Sequence, residues 1–183
     1  LTDGRIGWNI VASGGRAEAE NFGRETVMGH DERYEYADEF VELCGKLWNS
    51  WEPDAVLMNR ESGEYADPAK VHRVEHVGKY FSCRGPLNVI PSPQVSPLLI
   101  QAGSSPRGLA FSVKHAEVQF AVRGSAEGMK QHRQALNKAL AQQGRAPTDL
   151  KVLWGVNVIV DETAAGAEAK KEALLSVATD EAA

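Results

Sequence analysis

The run Pro97-Leu-Leu-Ile-Gln-Ala-Gly-Ser-Ser-Pro-Arg-Gly108 holds the densest chemistry in the chain. Leu98, Leu99 and Ile100, closed by Gln101, read as a short buried strand. Gly103 permits a sharp turn, Ser105 suits a helix N-cap, and Pro106 suits the first helical position. A helix start leaves backbone N–H groups unpaired and carries a partial positive charge, which suits a phosphate. Ser104 and Ser105 add two hydroxyls at the same point. The plain alternative is an ordinary strand–turn–helix junction with a capping serine and no ligand.

Other candidates lie upstream. Ser13 falls at the C-terminal end of an earlier strand, where functional groups of parallel α/β folds gather. Asn9 would point to the same side as Ser13 along a regular strand. His30 and Tyr34 are four apart at a helix start, so both can face one ligand, and a phosphate would suit them. Each also has a structural reading: polar turn or interior residues for Asn9 and Ser13, a capping histidine and a core tyrosine for the other two. His72 and His76 share the i, i+4 spacing, but no third ligand accompanies them, so they read as surface histidines and not as a metal site. The pairs Asp31/Glu32 and Asp38/Glu39 read as helix-start and solvated-face charges. No GxSxG, P-loop or GxGxxG pattern follows a strand.

These residues need elements to position them. Strands are expected over residues 5–12, 97–102, 117–122 and 151–160, and helices over 31–51, 106–115, 125–143 and 163–176. The first of these helices places Tyr34, Ala37, Val41, Cys44, Trp48 and Trp51 on one face, with Asp31 as its cap and Pro53 shutting it down. Residues 52–96 are rich in Pro and Gly and read as a long insertion, a candidate lid. Strands alternating with helices imply parallel βα units, in an open sheet or a (β/α) barrel. Four strands cannot close an eight-stranded barrel, which needs roughly 250 residues. The first residue is not Met and the last stretch is helix-like, so an interior piece of a longer protein is expected.

Composition narrows the partners. The 183 residues are 43% hydrophobic and 25% charged, as in an ordinary globular protein. A net charge of -5 argues against nucleic-acid binding, since no basic face is available to meet phosphates. No apolar run approaches the length of a membrane span. Cys44 falls on the apolar helix face and Cys83 in a loop-rich stretch, which suggests neither a disulfide framework nor a zinc site. A cytoplasmic protein is expected.

Five segments together carry a family resemblance. They are Gly4-Arg-Ile-Gly-Trp-Asn-Ile-Val-Ala-Ser13, His30-Asp-Glu-Arg-Tyr-Glu-Tyr-Ala-Asp-Glu-Phe40, Tyr65-Ala-Asp-Pro-Ala-Lys-Val-His72, Phe81-Ser-Cys-Arg-Gly-Pro-Leu-Asn-Val89 and Gln101-Ala-Gly-Ser-Ser105. In this order and spacing the chain resembles the nitrilotriacetate monooxygenase branch of the bacterial-luciferase-like flavin monooxygenases, over essentially its whole length. That branch also includes enzymes of dibenzothiophene sulfone and of long alkanes.

The resemblance implies part of a TIM (β/α)8 barrel, supplying the fourth to seventh strands and a large insertion after the fourth. It further implies a two-component system in which a separate NAD(P)H:flavin reductase delivers FMNH2. A C4a-peroxyflavin formed with O2 then passes one oxygen atom to a small organic substrate. By the same resemblance Ser13 matches an FMN contact, His30 and Tyr34 match a pair near the flavin phosphate, and Ser104 and Ser105 match the phosphate-binding serines, with Asn9 joining this cofactor-binding set. No catalytic residue is singled out.

Gly14-Gly15 departs from the bulkier family pattern, and the family's acidic and hydroxyl contacts from earlier strands have no counterpart here. The stretch alone is therefore not expected to turn over. A homo-oligomer, dimer or tetramer, is expected, with the Trp48/Trp51 region as a surface that something could cover. The competing readings are a deazaflavin-dependent oxidoreductase of the same superfamily and a truncated, non-catalytic binding module.

Overall fold

The computed structural model describes residues 2–177. In chain order the elements are β1 (Gly7–Ile10), α1 (Arg16–Asn21), α2 (His30–Trp48), β2 (His76–Val77), β3 (Ser82–Cys83), β4 (Leu98–Gln101), α3 (Pro106–His115), β5 (Val118–Val122), α4 (Ala126–Gln142), β6 (Lys151–Gly155) and α5 (Ala164–Ser176). The main sheet has the order β1-β4-β5-β6 and every pairing in it is parallel. This is the βα alternation expected from the sequence.

Side chains alternate across the sheet. Trp8, Ile10 and Leu99 meet Tyr34, Ala37 and Val41 of α2 and Phe111 of α3 in one core cluster. Val152 joins Val113, Ala116, Leu136, Leu140 and Leu150 in a second, beneath α3 and α4. The opposite face carries Phe120 and Leu153 at 44% and 54% exposure. The reading of the strand at 97–102 as buried therefore needs correction, and the strand at 5–12 behaves alike: Ile10 and Gln101 alone are buried there. Both strands are also shorter than expected, as is the last, which stops at Gly155. Its partner β5 ends opposite that residue at Val122, so the alternating valines at 156, 158 and 160 lie beyond the ladder and are exposed.

α2 departs from expectation at both ends. Its N-cap is Gly29, with no side-chain cap. Asp31 pairs with His30 Nδ1 at 2.7 Å instead of capping. Asn49 Nδ2 donates to the Gly45 carbonyl and Ser50 Oγ to that of Leu47 at 2.8 and 2.6 Å, which satisfies the last turn before Pro53 is reached. Trp51 leaves the helix and its indole N–H donates to the Leu87 carbonyl at 2.7 Å. Trp48 stacks edge-on against Trp8, so both tryptophans have contacts within the chain. Leu43 is buried while Cys44 is only partly so. α1 was not foreseen. Its six residues bury nothing, so no apolar period announces it, and it starts on a Glu18 carboxylate accepting from the Gly15 N–H.

The connection 52–96 is docked on α2. Glu39 accepts from the Tyr80 and Phe81 N–H groups at 2.9 and 2.7 Å and pairs with His76 Nε2 at 3.2 Å. Lys46 meets the other ring nitrogen of His76 at 3.1 Å. Two expectations are corrected here: His76 is buried and not on the surface, and Glu39 is not a solvated-face charge. Cys83 lies in the short β3 that pairs antiparallel with β2. His72 is exposed, as expected, beside Glu52.

Candidate functional site

Ile10 pairs with Gln101, so the loops after β1 and β4 leave the same edge of the sheet. The turn after β4 is shaped from beneath. Gln101 Oε1 accepts from the Gly103 N–H at 2.7 Å, bending the backbone toward α3. α3 then starts as expected, with Pro106 in its first turn and Ser105 Oγ accepting from the Gly108 N–H at 3.0 Å. Tyr34 reaches this turn from α2. A Cβ on Gly103 or Gly108 would lie 2.6 or 2.7 Å from the Tyr34 hydroxyl, so both glycines are required by close approach.

His30 stands one helical turn before Tyr34, their ring centroids 5.2 Å apart. Its Nε2 lies 3.3 Å from Ser105 Oγ. Ser104 is exposed at the tip. Among the described residues, the N–H groups of Ser104, Ser105 and Arg107 have no protein acceptor. His30 and Ser105 thus meet at a helix start whose first donors are unpaired, with the Ser104 hydroxyl next in sequence. That set is suited to an anion.

The structure brings His30, Tyr34 and Ser105 together, with Ser104 adjacent. It does not join Asn9 and Ser13 to them. Asn9 is exposed and lies between Trp8 and Ile10, which face the helices. Ser13 is exposed beyond β1, and its neighbour Gly14 sits against the Arg33 guanidinium, where a Cβ would be 3.2 Å from Nη2.

Sequence reasoning missed two polar clusters behind the turn. In the first, Asp38 of α2 receives Arg107 Nη2 at 2.5 Å, His115 Nε2 at 2.6 Å and Lys114 Nζ at 3.3 Å. Burial alone would raise its carboxyl, but the hydrogen bonds from His115 and Arg107 and the charges of Lys114 and Arg107 outweigh that and hold it at about 2. Asp38 is therefore an interhelical tie, which corrects its reading as a solvated charge. Arg107 also lies over the Tyr34 ring, 5.4 Å from its centroid.

The second cluster is neutral at its centre. Ser112 Oγ donates to Gln101 Oε1, and Gln119 Nε2 donates to Ser112 Oγ at 3.3 Å and to the Gly103 carbonyl at 3.2 Å. Gln119 Oε1 faces His132 Nε2 at 2.9 Å, and Arg123 Nη2 faces His132 Nδ1 at 2.6 Å. A signal existed: Gln101 and Gln119 are glutamines on adjoining β-strand segments, where apolar residues are the rule.

Against this geometry the relationships of the chain are clear. The family pattern described as luciferase-like monooxygenase matches residues 1–182. Dibenzothiophene-sulfone monooxygenase of Rhodococcus erythropolis is 43% identical over 97% of this chain and 39% of its own length. Nitrilotriacetate monooxygenase component A of Aminobacter aminovorans is 42% identical over 94% of this chain and 38% of its own. A crystal structure of a riboflavin lyase, with modified FMN and the substrate riboflavin, superposes with a TM-score of 0.85 at 39% identity, covering 98% of this chain and 40% of that one.

A parallel βα architecture of this kind, with this match, defines the chain as part of a luciferase-type TIM barrel. It belongs to the luciferase-like monooxygenase family. The chain spans about two fifths of the length of the curated relatives it matches, 39% in the first case.

Proposed function

We propose that the complete protein containing this chain is an FMNH2-dependent monooxygenase of two-component type, and that residues 103–108 seat the flavin phosphate. The observation that carries this reading is the meeting of His30, Tyr34 and Ser105 at a helix start with unpaired N–H groups. The relatives' names, one of them a component A, and a riboflavin lyase structure with modified FMN support the cofactor and the separate reductase.

The residues present fit a phosphate. Ser104 and Ser105 offer hydroxyls, the N–H groups of Ser104, Ser105 and Arg107 have no protein acceptor among the described residues, and the α3 dipole favours negative charge there. His30, held by Asp31 through Nδ1, keeps Nε2 at the same point. Tyr34 braces the turn rather than donating to it, since its hydroxyl is packed against both glycines. Ser13 follows β1 and Asn9 lies within it, and both remain proposed contacts of the same cofactor.

When bound, reduced FMN supplies the oxygen chemistry: it is oxidised to FMN while one atom of O2 enters a small organic substrate and the other leaves as water. The chain's own share is to orient the cofactor and exclude water. The connection 52–96, an insertion within a single partial barrel domain, contributes cover through its docking on α2. Free Cys44 and Cys83 accord with a reducing, cytoplasmic setting.

The test is a fluorescence titration of FMN with the complete gene product. Ser104→Ala combined with Ser105→Ala is expected to weaken binding about tenfold or more, the scale of two lost charge-assisted hydrogen bonds. Unchanged affinity removes the phosphate seat. Oxygen uptake with FMNH2 tests the reaction itself, and hydride transfer to a deazaflavin without oxygen uptake would replace it.

A further inference from the structure

The backbone of Gly103 is held at both ends by buried side chains that the proposed chemistry does not use. Its N–H donates to Gln101 Oε1 at 2.7 Å, and its carbonyl accepts from Gln119 Nε2 at 3.2 Å. Gln119 is 1% exposed and depends in turn on His132. The direction of every bond in this chain follows from its two ends. Arg123 can only donate, so His132 Nδ1 must accept, and the ring proton must sit on Nε2. Nε2–H then donates to Gln119 Oε1, which turns the Gln119 amide nitrogen toward Gly103 and Ser112. One tautomer of one histidine thus sets which way a buried glutamine faces.

We infer that His132 is a positioning residue for the 103–105 turn, acting through Gln119, and that it makes anion binding at that turn sensitive to acid. This rests on the reading of the turn as the phosphate seat. The groups facing His132 are Gln119 from β5, Arg123 from the loop before α4, Arg133 on α4 itself and the Trp154 ring of β6, 5.7 Å away. None is an acid that would welcome a second ring proton. Burial, then the Arg123 and Arg133 charges, lower the His132 pKa below its ordinary value. A second proton would place an N–H against the Arg123 guanidinium and break the chain at its first link. The folded state holds His132 neutral more firmly than the unfolded chain does. Its contribution is therefore complete above the ordinary histidine range and is lost as pH falls through the lowered value.

The experiment compares FMN affinity in the complete gene product from about pH 8 down to about pH 5, bracketing histidine. His132→Ala is expected to weaken FMN binding about three- to tenfold at the upper end, one hydrogen-bonded link being lost. His132→Gln keeps a donor and an acceptor but cannot titrate. It should bind like wild type at pH 8 and outbind it by about threefold or more at the acid end. Any titration outside position 132, that of the phosphate included, is common to both proteins and cancels in the ratio. A ratio that stays constant with pH, or wild-type affinity in His132→Ala, overturns the inference. If His132→Ala does not fold, the His132→Gln profile decides alone.

Amide exchange at Gly103 separates the two levels of the argument. Faster exchange in His132→Ala, beside Ser104→Ala/Ser105→Ala binding FMN as wild type, would keep the relay and discard the phosphate seat. Unchanged exchange, with the serine variant losing affinity, would do the reverse.

Discussion

The two polar clusters behind the sheet edge differ in how they end. Around Asp38, Arg107, Lys114 and His115 close on one carboxylate between α2 and α3, and the circuit ends within the protein. Beneath the 103–105 turn, the chain from His132 through Gln119 and Gln101 ends on backbone, beside N–H groups with no protein acceptor among the described residues. The histidines divide in the same way. His76 and His115 are sealed against carboxylates, whereas His30 keeps a ring nitrogen at the open turn. The closed circuit of charge ties α2 to α3, whereas the second network ends beside unpaired donors at the turn proposed above as the phosphate seat.

Removing the closed circuit gives the largest expected effect. Asp38→Asn should cost about 2 kcal/mol at neutral pH, the worth of a carboxyl held near 2 instead of near 4, while FMN affinity stays within about threefold. Denaturant unfolding and FMN titration check the two halves; a large loss of affinity would erase the distinction between the clusters. The sign of the pH effect follows from the lowered value. The contribution is whole above about pH 4 and is lost as pH falls toward 2, where wild type and Asp38→Asn should converge in stability.

Gly108→Ala sharpens the comparison from the other side. Its Cβ would meet the Tyr34 hydroxyl at 2.7 Å, an overpacking of about 1–2 kcal/mol. Tyr34→Phe should recover part of that loss in a double-mutant cycle, and strict additivity would show that the hydroxyl is not the obstacle. The smallest change in stability is expected from Ser105→Gly, a few tenths of a kcal/mol, because glycine is a tolerable N-cap. With the turn as phosphate seat, as proposed, FMN affinity should nonetheless fall about three- to tenfold. Equal losses in both measurements would reduce Ser105 to a cap.

What could be read from the sequence was local. The β4 strand, Ser105 as cap and Pro106 in the first turn share one stretch of chain, and the spacing of His30 and Tyr34 is one helical turn. Contacts across the sequence were not legible. Asp38 finds Arg107 and His115, and Glu39 finds His76 and Phe81, through packing that no nearby residue announces. Both carboxylates therefore looked solvated. The end of α2 was misplaced because the apolar period continues to Trp51, while Asn49 and Ser50 terminate the helix by side-chain bonds that compete with it. The valines after Gly155 show the converse, a strand-like pattern without a neighbour to pair with among the described residues. Alternation groups Asn9 with Ser13, but it cannot tell that neither reaches His30, Tyr34 or Ser105, because that depends on how α2 and α3 pack.

One span of α2 carries two attachments at once. Tyr34 fits between the glycines of the turn, and five positions later Glu39 takes the backbone of Tyr80 and Phe81. Adding or deleting a single residue between them would swing one attachment about 100° around the helix relative to the other. That short span works as a ruler: its length fixes where the docked connection meets α2 relative to the turn after β4.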